Sequence, residues 1–214
     1  MKHIKLLYLF LLISWSSLPL KAADYLLQSP NGKLTVEIET KGQLSYTLKH
    51  NSQTLLDKSP IGLLLEDKIL GEDIKISRIK RNSSVKEHIV SPHYRLPSFE
   101  VTYNELNLKF KGNYGIIFRA YNEGIAYRFY TTMKGPLIIK DEMVQMNFPK
   151  DYPTFMSYST MPTGEDQYAM AFQNLYTKSS IKGVDTNNIA FLPITIDCGN
   201  ELKMTLLESD LEDY

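Results

Sequence analysis

Val101-Thr102-Tyr103-Asn104-Glu105-Leu106-Asn107-Leu108-Lys109-Phe110, then Gly112-Asn113, Tyr114 to Tyr121, Asn122-Glu123-Gly124 and Ile125 to Tyr130: the fold is decided in this stretch. Apolar and polar residues alternate through each run, which puts one face of a strand against a core and the other toward water. The two interruptions carry turn residues, and Gly124 is expected to supply the positive φ of a tight hairpin. The reading is three antiparallel strands with short turns, sharing one apolar, aromatic face.

The same period of two extends outward. Leu34, Val36 and Ile38 alternate with Thr35, Glu37 and Glu39; after Lys41-Gly42, Leu44, Tyr46 and Leu48 resume it. Asn51-Ser52 turns the chain, and Gln53 to Leu56 pairs back. Pro60 and Gly62 make Ser59 to Leu65 a separate strand that begins after a sharp bend. Gly71 to Ile79 alternates less regularly. Asn82 to Phe99, with Pro92 and Pro97, reads as a long connection or a pair of short edge strands. Downstream, Leu137 to Phe148 is expected to form a pair of strands and Phe155 to Tyr158 a short one. Phe191 to Cys198 and Leu202 to Leu207 close a last hairpin at Gly199-Asn200. No segment after the first two dozen residues has a helical period. The expectation is an all-β chain, a large antiparallel β-sandwich of about a dozen or more strands.

Composition narrows function mainly by exclusion. The 214 residues carry 24 basic and 24 acidic side chains, so net charge points to neither nucleic acid nor an anionic membrane. Residues 1–23 read as a secretory signal peptide: Lys2, His3 and Lys5, an apolar run from Leu6, then Ala22-Ala23. The run is shorter than the roughly 20 apolar residues of a membrane span. A periplasmic or secreted destination is therefore expected, with residues 24–214 as one domain. The single cysteine, Cys198, has no partner for an internal disulfide and reads as a small buried strand residue.

Few constellations suggest chemistry. The glycines fall as hairpin punctuation, without a phosphate-loop pattern. His88 and His93, with Glu87 beside one of them, lack metal-ligand register and read as solvated loop histidines. The pairs Glu66-Asp67, Glu72-Asp73, Asp141-Glu142, Glu165-Asp166 and Glu212-Asp213 are adjacent in sequence, and neighbours on a strand point to opposite faces. Catalytic carboxylates must instead face each other across a bond, so none of these pairs is assigned a catalytic role. Tyr152, Phe155, Tyr158 and Tyr168 cluster near Glu165 and offer rings on which a sugar could stack.

Four motifs in order resemble glycoside hydrolase family 97. They are Ser29-Pro30-Asn31-Gly32-Lys33-Leu34, Tyr103-Asn104-Glu105-Leu106, the run Ile117-Phe118-Arg119-Ala120-Tyr121-Asn122-Glu123-Gly124-Ile125-Ala126-Tyr127-Arg128-Phe129, and Leu207-Glu208-Ser209-Asp210-Leu211-Glu212-Asp213-Tyr214. The resemblance implies the N-terminal β-sandwich, of galactose-mutarotase-like supersandwich form, of calcium-dependent, exo-acting α-glucosidases or α-galactosidases. In that family a (β/α)8 barrel carries the catalytic carboxylates. A barrel would need about 250 further residues, so the sequence is expected to be a fragment without hydrolytic activity of its own. The resemblance also implies that a glutamate of this domain helps hold the active-site calcium. Glu165 is the best positional match, and Glu208 is a weaker candidate for the same interface. One carboxylate cannot fill a calcium shell of about 6–8 oxygens. The expected partners are an α-linked oligosaccharide and the catalytic barrel. The residues that would separate glucosides from galactosides lie in that barrel. Two rival readings are a free-standing carbohydrate-binding sandwich using Tyr152 to Tyr168, and a mutarotase whose glutamate base is opposed by His88 and His93.

Overall fold

The computed structural model describes residues 24–91, 95–159, 166 and 174–209. Among these residues every extended element belongs to one of three antiparallel sheets. No helix among the described residues is long and apolar enough to cross a membrane.

The first sheet begins with β1 (Tyr25–Gln28), β2 (Leu34–Glu39), β3 (Ser45–His50) and β4 (Gln53–Leu65), in that order. β5 (Ile69–Leu70) folds back on β4, and β10 (Ile139–Val144) completes the edge. The second sheet is the meander β6 (Ile76–Val90), β7 (Ser98–Phe110), β8 (Tyr114–Tyr121) and β9 (Ile125–Thr131). The third runs in the order β12 (Thr177–Ser180), β11 (Pro153–Tyr158), β13 (Ala190–Gly199) and β14 (Leu202–Leu206). A 3-10 turn, Ile181–Gly183, follows β12.

The alternation read from sequence is the physical cause of the sandwich. Val36 and Ile38 of β2, Tyr46 of β3, Leu106 and Leu108 of β7, and Ile116 and Phe118 of β8 are all buried and share one core. Tyr46 meets Phe118 at 6.1 Å and Tyr127 at 5.8 Å between ring centroids, joining the first sheet to the second. The tilted geometry is the one aromatic quadrupoles favour. Ile196, Cys198 and Tyr152 bring the third sheet into the same core. Gln53 Nε2 donates to the Cys198 carbonyl at 2.8 Å and ties the β3–β4 hairpin to β13.

Several expectations need correction. Of the two readings of Asn82 to Phe99, the edge-strand one holds and the long connection does not, but the strand is longer than expected: β6 pairs with β7 from Ile76 to Val90 at the edge of its sheet. His88 is accordingly an exposed strand residue, not a loop one. Ser59 to Leu65 is not a separate strand, because β4 runs unbroken from Gln53. The chain tolerates Pro60 because the neighbouring residues carry the bonds: the Ile61 amide donates to the Leu44 carbonyl at 3.0 Å. Pro60 itself stands opposite Ser45, next to the register shift that falls between Tyr46 and Leu48 of β3. Leu137 to Phe148 contains one strand, β10, rather than two. Gly124 does not adopt a positive φ; its turn closes through the Tyr121 amide and the Gly124 carbonyl at 2.8 Å. The positive φ values fall instead in the preceding turn, at Gly112 (98°) and Asn113 (63°).

Candidate functional site

The β8–β9 hairpin is divided between its two faces. Phe118 and Tyr127 point inward, whereas Arg119 and Tyr121 point outward with Tyr103 and Glu105 of β7. The Arg119 guanidinium lies 4.3 Å from the Tyr103 ring centroid. Its Nε donates to Glu105 Oε2 at 2.9 Å, and Glu87 lies 3.7 Å away. Tyr103 donates to Glu87 at 3.2 Å, and Asn82 Nδ2 donates to Glu105 Oε1 at 2.9 Å. Burial works against the Arg119 charge, but hydrogen bonds to Tyr121 and Glu105 outweigh it and hold the group protonated. Every partner in this network is satisfied within the sheet, so its role is to stiffen the outer face.

A different polar group gathers at the open edge of the sandwich. β1 lies against β7 and β8, β2 against β8, and Tyr46 of β3 against Tyr127 of β9. β10 therefore lies at the margin where the second sheet ends. Its register sets Glu142 opposite Leu63, whose side chain packs on the core, so Glu142 takes the inner face of the sheet. Burial raises the Glu142 carboxyl above its ordinary range, and the nearby Glu208 and Asp141 charges raise it further. Burial pushes the Tyr46 hydroxyl up to about 12. Tyr127 is also raised, first by burial and then by Tyr46, Glu142 and Glu208. Glu142, Glu208, Tyr127 and Tyr46 thus influence one another electrostatically. Among the described residues no basic side chain figures in the shift of Glu142 or Tyr127.

Of the site residues expected from sequence, Glu165, Tyr168 and His93 lie outside the described residues. Tyr152 is 8% exposed and packs edge-on to Phe148, so its ring offers no face to a sugar. Phe155 is half-buried, with Lys178 Nζ 5.8 Å from its centroid. Tyr158 accepts from the Asp185 amide at 3.2 Å. These rings form no common platform. Cys198 is buried, and burial raises its thiol, which suits a core residue and not a nucleophile. A shallow groove of ≈ 760 Å³ runs between the β3–β4 hairpin and the β13–β14 turn, past Gln53, Lys150 and Asp197. Among the described residues no three His, Cys, Asp or Glu side chains converge as a metal site. Sequence reasoning did not anticipate the approach of Glu208 to Glu142, because it depends on where β10 and the segment after β14 meet.

A profile described as Glycosyl-hydrolase 97 N-terminal matches residues 27–214. The chain belongs to glycoside hydrolase family 97. This family 97 chain is 36% identical over 197 residues to a protein of Bacteroides thetaiotaomicron named retaining alpha-galactosidase. The match takes in 89% of this chain and 29% of that relative's length. Among solved structures it is similar to a beta-arabinopyranosidase, at TM-score 0.69 and 17% identity, over 85% of this chain and 31% of the other. It is also similar to a family 97 enzyme from Pseudoalteromonas sp. strain K8 in complex with panose, at TM-score 0.63 and 16% identity. That likeness spans 80% of this chain and 26% of the other. At such identities the two structures establish the fold alone.

Proposed function

We propose that this chain is the N-terminal, non-catalytic sandwich of a calcium-dependent, exo-acting α-glycosidase, which shapes the sugar site of a catalytic (β/α)8 barrel. The observation that carries this reading is the 36% identity to a retaining alpha-galactosidase over 197 residues. That relative's name favours α-galactosides over α-glucosides as substrates. Residues 1–23 direct the protein to the periplasm or beyond.

The chemistry of the available donors fits a partial calcium shell. Calcium takes about 6–8 oxygens, so a domain lending a single carboxylate depends on its neighbour for the rest. Glu165 is the residue assigned to that role, and the bound ion would supply positive charge beside the sugar. The mature domain would hold one ligand and one wall of the site, while bond cleavage belongs to the barrel. The rival reading as a free-standing sugar-binding module has less support, because Tyr152 is buried against Phe148.

The test is a chimera in which residues 24–214 replace the matching portion of the Bacteroides relative. The chain alone should not hydrolyse 4-nitrophenyl α-galactoside. The chimera should hydrolyse it, EDTA should stop it, and Glu165→Gln should raise the calcium needed for half-activity. Hydrolysis by the chain alone, or a calcium response indifferent to Glu165→Gln, would refute the assignment.

A further inference from the structure

We propose that the outer face of the second sheet binds acidic polysaccharide, a chain of uronate sugars, as a foothold separate from any catalysis. Two features coincide there. The first is charge. Arg78 of β6 stands directly opposite Lys109 of β7, and the Lys111 amide donates to the Lys75 carbonyl at 2.8 Å, so like charges are set side by side twice. Lys80 follows Arg78 on the same face, and the register runs on from Lys80 through Asn107 and Ile117 to Arg128 of β9. All of these cations are exposed, and among the described residues none has an acidic partner. Lysines elsewhere in the fold do: Lys49, Lys58 and Lys203 meet Glu37, Glu39 and Asp197 at 2.6–2.8 Å. The acids of the same face, Glu105 and Glu87, are engaged by Arg119. Because the chain balances 24 basic against 24 acidic residues, the patch is a local concentration and not the mark of a basic protein.

The second feature is a ring laid flat in the middle of that charge. A Cβ on Gly115 would meet the Tyr130 hydroxyl at 2.5 Å and its Cζ at 2.6 Å, and the same hydroxyl reaches across to Asn107 Oδ1 at 2.8 Å. Tyr130 therefore spans from β9 over β8 to β7, with one face on the glycine backbone and the other turned outward. Arg78 and Lys109 flank it in one row, Lys80 and Arg128 in the next. Like charges opposed across a ladder are destabilising, and no group within the domain offsets them. A uronate does so while filling the platform. Its C–H face stacks on an aromatic ring, and its carboxylate takes a forked pair of bonds from arginine or a point charge from lysine. Strand geometry spaces the cations by about 5–7 Å, which suits a polymer with a charge on every ring. The face uses neither Glu165 nor a catalytic barrel, so it stands or falls separately from the function proposed above.

The test is affinity electrophoresis of residues 24–214 in gels containing polygalacturonate, with dextran, heparin and duplex DNA in parallel gels. Polygalacturonate should retard the chain and neutral dextran should not. Arg78→Gln and Lys109→Gln should each weaken the retardation by about tenfold, the loss of one charge-assisted contact. Lys182→Gln, an equal change of charge on the 3-10 turn beyond β12, should leave it unchanged. The Tm of the first two variants should not fall, because each relieves a like-charge opposition, so lost binding cannot be read as lost folding. Tyr130→Leu should weaken binding with all the cations in place. Equal retardation of wild type and an Arg78→Gln/Lys109→Gln double variant would overturn the proposal. So would a loss in Lys182→Gln as large as in Lys109→Gln, or retardation by heparin or DNA as strong as by polygalacturonate, which would leave only an unselective attraction to polyanions.

Discussion

Gly115 shows how narrowly one residue is constrained. A Cβ there would stand 2.5 Å from both the Leu108 carbonyl oxygen and the Tyr130 hydroxyl. Tyr130 lies across the glycine from β9 and donates to Asn107 Oδ1 at 2.8 Å. Gly115→Ala must therefore displace the tyrosine and break its hydrogen bond, and the backbone oxygen cannot yield. Overpacking of this kind costs about 1–3 kcal/mol. Urea unfolding should show the midpoint fall with an unchanged slope, and an unaltered midpoint would mean that the ring moves freely. Neither this contact nor the Glu142–Glu208 approach was legible in the sequence. Both pair residues by strand register, and a single run of letters carries no information about which strand lies beside which. The burial of Cys198 was legible, because a lone cysteine in an apolar strand has few other fates.

At the scale of elements, legibility followed amphipathicity. β2 and β8 show one clean apolar face each, and their alternation fixed both strands from sequence. β6 was read only in pieces and not as one strand, because Ser77, Arg78, Ile79, Lys80 and Arg81 are all exposed, and an edge strand with water on both faces leaves a weak period to detect. Elements are also held at their ends. Asp24, just before β1, accepts from the Thr40 amide at 2.7 Å and the Thr40 hydroxyl at 2.8 Å, just beyond β2. These bonds, the Thr40 amide foremost, hold its carboxyl below the usual aspartate range, with Lys41 assisting. A lowered carboxyl stabilises the fold above the unfolded aspartate pKa of about 3.9, and the contribution is lost as pH falls through the lower folded value. Asp24→Asn should therefore melt earlier than wild type at pH 7, with the gap closing below about pH 4. A gap that persists unchanged in acid would remove the charge from the explanation.

For the whole molecule, the decisive fact is that three sheets share one core. Phe118 is fully buried at the junction, touching Tyr46 and Tyr127 at 6.1 and 5.7 Å between centroids. Truncating such a ring costs about 3–5 kcal/mol. Phe118→Ala should lower the stability of all three sheets together, so far-UV dichroism and tyrosine fluorescence should report one coincident transition. Separate transitions would show that the third sheet folds on its own. The leading family assignment came from motifs spread over the second sheet and the two ends of the chain. The structure explains why they travel together, since Asn31, in the first motif, donates its amide to Asn122 of the third at 3.0 Å.

β1 forms one margin of the first sheet, and an outer strand normally leaves carbonyls free to recruit another chain. Here Arg81 Nη1 donates to the Leu26 carbonyl at 2.7 Å, and Asn104 Nδ2 donates to the Gln28 carbonyl at 2.7 Å. Side chains from the neighbouring sheet thus occupy the positions an incoming strand would need. The same two contacts that steady the sandwich also deny fibril growth a template along this border, leaving the protein with one less route to self-assembly.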